Sequence, residues 1–175
     1  MSDGDAVAAD ELLPIVYDEL HHIADRLMGR EQVGHTLQPT ALIHEAFVKL
    51  SGPREDDWEG RVHFLRVAAR AMRSVLIDHA RAESAKKRSG KKRSVTLQEQ
   101  FAVTSEDTEQ VLIVHEGIEA LSAVDVQLAS IVELRFFGGF SNPEIAKILD
   151  MSLRSVERSW QFARAWLKQH FEAEG

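Results

Sequence analysis

The sequence predicts an all-α protein in which two small helical domains, residues 1–83 and 109–175, are joined by a flexible linker. Three observations support this fold class. Apolar residues recur at helical spacing along most of the chain. The segment 84–108 mixes Ser, Gly, Lys, Gln and acidic residues and contains few apolar ones, which is typical of a linker. Near the C-terminus, two short helical patterns are separated by a tight turn, which predicts a helix-turn-helix.

The composition fits an ordinary globular protein. The 175 residues are 44% hydrophobic, which is enough for real cores. The chain has no cysteine, so it has no disulfide framework, cysteine zinc site or thiol nucleophile. No segment approaches the roughly 20 apolar residues of a membrane-spanning helix, and the N-terminus does not resemble a signal peptide. We therefore expect a soluble cytoplasmic protein without a cofactor.

Charge is unevenly distributed along the chain. The net charge is −7, yet residues 61–93 contain eleven Lys and Arg against two acids. The first nineteen residues contain six acids and no Lys or Arg. A basic segment in an acidic protein suggests a nucleic-acid contact whose affinity is limited, or is supplied only together with a partner.

The N-terminal half contains two shorter predicted helices. The first covers residues 7–29 and can end at Gly29. The second covers residues 40–50 and follows Pro39. Its core-facing residues are Leu42, Ile43, Ala46, Phe47 and Leu50. Its outward residues are His44, Glu45 and Lys49.

A long basic helix is predicted over residues 61–83, which contain no Gly or Pro. Its apolar stripe consists of Leu65, Ala69, Met72 and Leu76. Its other positions carry Arg66, Arg70, Arg73 and Arg81. Cationic side chains along a helix suit a phosphate backbone, although such residues also occur on helix faces that contact only solvent. Nearly all charged residues of segment 61–93 are positive, which favours the interpretation that this segment contacts nucleic acid.

The C-terminal half is predicted to contain four helices. Residues 109–121 and 125–137 form the first two, and Gly138 and Gly139 end the second. Ser141 and Glu144 then form a capping box at the start of the third. Ser152 can cap the fourth.

The last helix has two distinct predicted faces. Its buried stripe consists of Val156, Trp160, Ala163 and Leu167. Its opposite face carries Arg154, Arg158 and Gln161, with Ser155 beside them. Side chains that can hydrogen-bond to base edges or phosphates, on the outward face of a capped second helix, indicate a DNA-reading helix-turn-helix. An ordinary helical hairpin with a solvated outer face is the alternative.

With these motifs in place, the chain resembles a bacterial RNA polymerase sigma factor of the extracytoplasmic-function (ECF) type over nearly its whole length. Segment 40–50 looks like the helix of that family that binds the polymerase clamp. Segment 77–81 matches the Ile-Asp-x-x-Arg end of the helix that reads the −10 promoter element. The most specific match is to the domain that reads the −35 element, over segments 134–141, 144–146 and 152–156.

The resemblance implies a function and a set of site residues. The protein would bind core RNA polymerase, direct it to promoter DNA and assist DNA opening, and it would not be an enzyme. The −35 contacts would come from Arg154, Ser155, Arg158 and Gln161. The −10 contacts would come from Arg70, Arg73, Ser74 and Arg81, with the strand captured single-stranded. The polymerase contacts would come from Leu42, His44, Glu45, Phe47 and Lys49. Asp78 would be structural, pairing with an arginine one turn away.

The segment before the clamp-like helix departs from the family pattern. ECF sigma factors usually carry several acids there, whereas residues 36–41 contain none. Some members without these acids resemble a sub-type that threonine phosphorylation activates. A phosphate on Thr40 would supply about −1.5 to −2 charge at a helix N-terminus. Thr40, or less favourably Thr36, is therefore a candidate substrate of a Ser/Thr kinase, although a simple N-cap is the favoured interpretation of Thr40. An anti-sigma factor is the other possible regulatory partner.

Three other classes of function remain as alternatives. An enzyme would need a converging site, and no two of the eight histidines stand four residues apart on a helix, which is the spacing of a metal-binding histidine pair. A stand-alone helix-turn-helix regulator would bind an operator without polymerase. A structural adaptor would have no use for the DNA-facing residues.

Overall fold

The fold is known from a computed structural model that describes residues 14–15, 17–26, 39–50, 61–86 and 108–174. All regular secondary structure in these ranges is helical. The helices, in chain order, are α1 (helical residues 14–15 and 17–26), α2 (Pro39–Leu50), α3 (Arg61–Lys86), α4 (Thr108–Val124), α5 (Val126–Phe136), α6 (Asn142–Ile148) and α7 (Leu153–Glu174). The predicted all-α fold class is confirmed.

The helices extend into both ends of the predicted linker. Helix α3 continues to Lys86, and α4 already begins at Thr108. The extension consists of Ser84, Ala85 and Lys86, and Ala and Lys are good helix formers. The remainder of the linker lies outside the described residues, as do Gly29 and Thr36.

One cluster of buried apolar residues draws on all seven helices. The stripe predicted for α3 is buried throughout, and Met72 at its centre is fully inaccessible. Helix α3 packs against α2 on one side and against α4, α5 and α6 on the other. The helices of the two predicted domains are therefore in contact along α3.

Helix α5 has a well-defined start and end. At its start, the Asp125 carboxylate accepts hydrogen bonds from the backbone N–H groups of Gln127 (2.9 Å) and Leu128 (3.1 Å). After its end, Gly139 has a φ of +65°. A Cβ atom on Gly139 would lie 2.8 Å from Cβ of Arg26 in α1. Glycine therefore permits both the left-handed turn and the close approach of α1.

Candidate nucleic-acid interface

The start of α6 is fixed by the predicted capping box. The Glu144 carboxylate accepts hydrogen bonds from the backbone N–H and the hydroxyl of Ser141, both at 2.8 Å. It also pairs with the Arg26 guanidinium of α1 at 3.0 Å. Burial alone would raise the pKa of Glu144, but the Ser141 hydrogen bonds and Arg26 together hold that pKa below its ordinary value. Glu144 is therefore a carboxylate that connects α6 to the N-terminal half of the chain.

A four-residue turn joins α6 to α7. Asp150 has a φ of +52°, a left-handed conformation that Asp tolerates better than most side chains. The Met151 N–H donates to the Ala146 carbonyl at 2.9 Å, which closes the turn back onto α6. The Ser152 hydroxyl oxygen accepts a hydrogen bond from the Ser155 N–H at 3.1 Å, so Ser152 caps α7 as predicted.

The two faces of α7 have the predicted arrangement. The buried residues of this helix are Val156, Trp160, Ala163 and Leu167, which is the predicted stripe. On the opposite side, Arg154, Arg158 and Gln161 are exposed. The predicted set is therefore brought together on one solvent-facing surface.

Ser155 is the exception among the residues predicted for −35 binding. Its side chain is only half-exposed, and its hydroxyl oxygen accepts a hydrogen bond from the Ser152 hydroxyl at 2.8 Å. This hydrogen bond belongs to the cap at the start of α7. Ser155 therefore lies at the edge of the exposed face and has a structural partner.

Sequence reasoning missed two apolar residues on the open side of α7. Leu153 is 42% exposed and Phe162 is 56% exposed. Phe162 follows Arg158 by four residues, so the two side chains share a helix face. The sequence signal for Phe162 was an aromatic residue one helical turn after an outward-facing arginine.

The four residues predicted for −10 binding line one cleft. The cleft has a volume of about 420 Å³ and lies between α3, α4 and α5. The lining residues contributed by α3 include Arg70, Arg73, Ser74 and Arg81. The structure thus groups the predicted set on one face of α3, and α4 and α5 form the other walls of the cleft.

Arg73 is the most constrained residue of this group, since only 13% of its side chain is exposed. One terminal nitrogen donates to Glu133 Oε1 of α5 at 2.8 Å, and the other pairs with the Glu119 carboxylate of α4. Its Nε–H donates to His115 Nδ1 at 3.2 Å. Every nitrogen of the guanidinium therefore has a partner in the C-terminal half.

Glu133 was not anticipated from the sequence. It is 8% exposed and is the one charged residue that is buried within the described ranges. Besides the Arg73 hydrogen bond, its Oε2 lies 3.6 Å from Nε of Arg70. The signal was a single acid in the segment from Leu128 to Leu134, whose other residues are apolar except for Ser130. Such an acid requires a cation when it is buried.

His115 lies at the same contact. Burial and the adjacent Arg73 guanidinium lower the pKa of His115 below its ordinary value, although Glu119 and Glu116 act in the opposite direction. The imidazole is therefore neutral at pH 7, and its Nδ1 accepts the hydrogen bond from Arg73.

On α2, the residues predicted to contact polymerase do not form one uniform surface. His44 and Glu45 are exposed. Leu42 is fully buried, and Phe47 is partly buried against the Tyr17 ring of α1 at a centroid distance of 6.2 Å. Lys49 is directed toward α3.

Lys49 holds α2 against α3. Its ammonium donates to the Ser74 hydroxyl at 2.8 Å and to the Asp78 carboxylate at 3.0 Å. Asp78 is therefore part of a structural pair as expected, but the partner is a lysine of α2 rather than an arginine one turn away. The predicted partner of Asp78 was wrong because the observed contact joins two helices, whereas sequence spacing identifies only neighbours on the same helix.

Two other kinds of feature, a metal centre and a membrane-spanning helix, are absent from the described part of the chain. No three His, Cys, Asp or Glu side chains there converge as metal ligands would. None of the described helices combines the length and the apolar character required to cross a membrane.

A capped second helix with arginines on its solvent face, in an all-helical chain, is typical of DNA-binding transcription proteins. Comparison with known families then makes the assignment specific: a family model described as ECF sigma factor matches residues 1–173. The chain therefore belongs to the ECF sigma factor family, whose members are non-enzymatic initiation factors that direct RNA polymerase to promoters. Members bind core polymerase, promoter DNA and anti-sigma factors. Comparisons with curated proteins and with solved structures gave no match.

Proposed function

We propose that this sigma factor works in the cytoplasm, where it binds core polymerase through α2, takes the −10 strand on α3 and reads the −35 duplex with α7. The observation that carries the proposal is the solvent-facing surface of α7. There Arg154, Arg158 and Gln161 lie opposite a continuous buried stripe. Arginine and glutamine are side chains that make bidentate contacts to purine edges in the major groove.

The proposed −10 role belongs to Arg70, Arg73, Ser74 and Arg81, which share one face of α3. Three guanidinium groups on one helix face can follow a strand of phosphates. Capture of a single strand on this face would also favour the opened promoter over the duplex. This face would therefore supply the assistance to DNA opening.

For α2, the exposed His44 and Glu45 would contact polymerase directly. Leu42 and Phe47 would instead hold the helix in place, since they pack into the core. Lys49 would act in the same way through its bonds to α3. The residues of the clamp-binding segment therefore divide into contacting residues and positioning residues.

Transcription with purified core polymerase tests the proposal. We expect initiation at defined start sites only when this protein is added. We also expect that initiation is lost when either the −35 or the −10 block of those promoters is scrambled. A protein that binds duplex DNA but gives core polymerase no new start sites would instead be a stand-alone operator-binding regulator. Start-site mapping after overexpression, compared with a deletion strain, supplies the promoters for this assay.

Phosphorylation of Thr40 is the proposed control of polymerase binding. Thr40 is exposed and is the second residue of α2, rather than the residue before the helix. The first turn of α2 contains no acid that would repel a phosphate there. The phosphate would therefore be attracted to the partial positive charge of the helix N-terminus. Thr36 is the second candidate for the same Ser/Thr kinase.

The test of this switch is the affinity for core polymerase of Thr40→Glu, with Thr40→Gln as the uncharged control of the same size. Tighter binding by the Glu variant than by the Gln variant and Thr40→Ala supports the switch. Equal binding by all three would show that Thr40 contributes only to the start of the helix.

A further inference from the structure

We propose that Phe162 of α7 reads the C5-methyl group of a thymine in the −35 element, close to the purine that Arg158 contacts. The inference rests on the proposed role of α7 and deepens it, because it assigns a base chemistry that the polar residues of this face do not cover. Arg154, Arg158 and Gln161 offer hydrogen bonds to base edges. Phe162 is the large apolar side chain beside them.

Phe162 belongs to the DNA-facing side of α7. It follows Arg158 by four residues and Arg154 by eight, so the three side chains leave the helix within about 80° of one another. The buried stripe lies on the opposite side of the same helix. A duplex that reaches both arginines therefore also covers the Phe162 ring.

The Phe162 ring has no packing role within the described residues. It is exposed, and it belongs neither to the buried apolar cluster nor to the partly buried residues packed against that cluster. Trp160, two residues earlier, is by contrast buried and lies 4.7 Å from the Arg135 guanidinium. Phe162 has no comparable aromatic or cation–π contact in the part of the chain that the structure describes. Its ring is therefore available to a ligand.

The thymine methyl group is the apolar feature of the major groove that fits this ring. Among the four bases, thymine alone presents a methyl group there, and Phe is one of the side chains that contact it. The two arginines supply the positive charge that holds this face of α7 against the duplex. Covering a methyl group with the ring is favourable, whereas covering the amino group of cytosine would hide a donor that Phe162 cannot satisfy. Phe162 thereby distinguishes thymine from cytosine.

The spacing of the two side chains indicates where the thymine lies. Four residues span about 6 Å along a helix axis. Neighbouring base pairs are separated by about 3.4 Å. With α7 lying in the major groove, the thymine is therefore about two base pairs from the purine that Arg158 contacts. Relaxed base preference in an Arg158→Ala holoenzyme identifies that purine.

Removal of the methyl group from the DNA tests the proposal. The protein is assembled with core polymerase, and promoter complexes are measured on DNA that carries deoxyuridine in place of each −35 thymine in turn. Uracil keeps the hydrogen-bonding groups of thymine and lacks only the methyl group. We expect one position at which this change weakens the wild-type complex about fourfold, the equivalent of about 0.8 kcal/mol for one buried methyl group.

Phe162→Ala should remove the same contact from the protein side. It should weaken complexes on thymine DNA at least about fourfold. Uracil at the identified position should then cause no further loss, because the two changes remove one interaction. Phe162→Leu keeps an apolar side chain and should retain part of the sensitivity to uracil. Val124→Ala is the matched control, since Val124 is an equally isolated apolar residue, 64% exposed at the end of α4, and it should behave like the wild type.

Several results would overturn the proposal. One is a −35 element without a thymine near the purine that Arg158 contacts, and another is a wild-type complex that no uracil substitution weakens. A Phe162→Ala complex that stays as sensitive to uracil as the wild type would assign the methyl contact to a different residue. Weaker binding of Phe162→Ala to core polymerase in the absence of DNA would show that the ring faces polymerase instead.

Scrambled DNA separates failure of this inference from failure of the proposed function. If scrambling the −35 block abolishes wild-type complexes while uracil has no effect, α7 reads the element without Phe162, and only the thymine contact is wrong. If scrambling leaves the complexes unchanged, α7 does not read a −35 element, and the proposed function itself fails.

Discussion

The arginines of α3 and those of α7 look equivalent in sequence but differ in their surroundings. Arg70 and Arg73 on α3 are spaced about one helical turn apart, as are Arg154 and Arg158 on α7. Both pairs lie opposite an apolar stripe. On α3, Arg73 is 13% exposed and all its nitrogens are bound by α4 and α5. On α7, Arg154 and Arg158 are exposed and have no ion pair within the described residues. Helical periodicity identifies an outward face, but it does not show whether another helix covers that face.

The difference separates two contributions that the same residue type can make. A guanidinium in a nearly buried ion pair contributes to the stability of the fold, whereas an exposed one contributes little to stability and remains available to a ligand. Substitutions in the two helices should therefore have opposite profiles for stability and DNA binding.

Arg73→Ala should cost about 3–5 kcal/mol of unfolding free energy, because it leaves Glu133 buried without its hydrogen-bonded cation. Arg154→Ala should change stability by no more than about 0.5 kcal/mol, as is usual for an exposed site. Urea unfolding followed by tryptophan fluorescence measures both. Equal losses would mean that the environments of the two arginines do not differ energetically.

Arg158→Ala should reduce transcription from −35-dependent promoters by a factor that corresponds to about 1–3 kcal/mol, because a contact to a base edge is lost. Its unfolding free energy should stay that of the wild type. Lys168→Ala is the control on the same helix, since Lys168 is 74% exposed near the other end of α7. If Lys168→Ala had the same effect on transcription, the contribution of α7 would be general charge rather than recognition.

Ser152→Ala should destabilise the C-terminal half by about 1 kcal/mol, because the first turn of α7 loses its cap. Arg154 lies on that turn and Arg158 on the next, so the variant should also weaken −35 recognition. Ser122→Ala, at an exposed position in α4, is the control and should have little effect on unfolding. Retained stability in Ser152→Ala would show that α7 starts independently of its serine.

Acidification should weaken the contact between α3 and α4, with a smaller effect on stability than Arg73→Ala or Ser152→Ala. The folded-state pKa of His115 is below its ordinary value, so the unfolded chain binds more protons once the pH falls through about 6.5. Stability should therefore decline between about pH 7.5 and pH 5.5, and His115→Gln should flatten that part of the curve. A His115→Gln profile parallel to the wild-type profile would contradict this assignment.

Local sequence signals were sufficient for most of the fold. Serine and glycine positions marked where helices begin and end, and apolar spacing gave the buried stripe of α7 because that stripe depends on one helix alone. The sequence does not predict the extension of α3 to Lys86, because the composition changes at residue 84 while the helix continues.

The candidate site was predictable only in part, and the missing part is non-local. The face of α7 follows from residues within two turns of each other. The contact between Arg73 and Glu133 joins positions 60 residues apart, and no spacing rule connects them. The lone acid in α5 indicated that a buried cation was needed, but the identity of that cation depends on how α3 and α5 pack.

The absence of a side chain at Gly139 has a consequence for protein engineering. The backbone there comes so close to Arg26 that even a methyl group would force α1 away. Shortening or replacing the first helix is therefore expected to disturb the loop that orients the DNA-reading hairpin, although the two are more than a hundred residues apart in sequence. Fusion partners for this protein are better attached after α7 than close to α1.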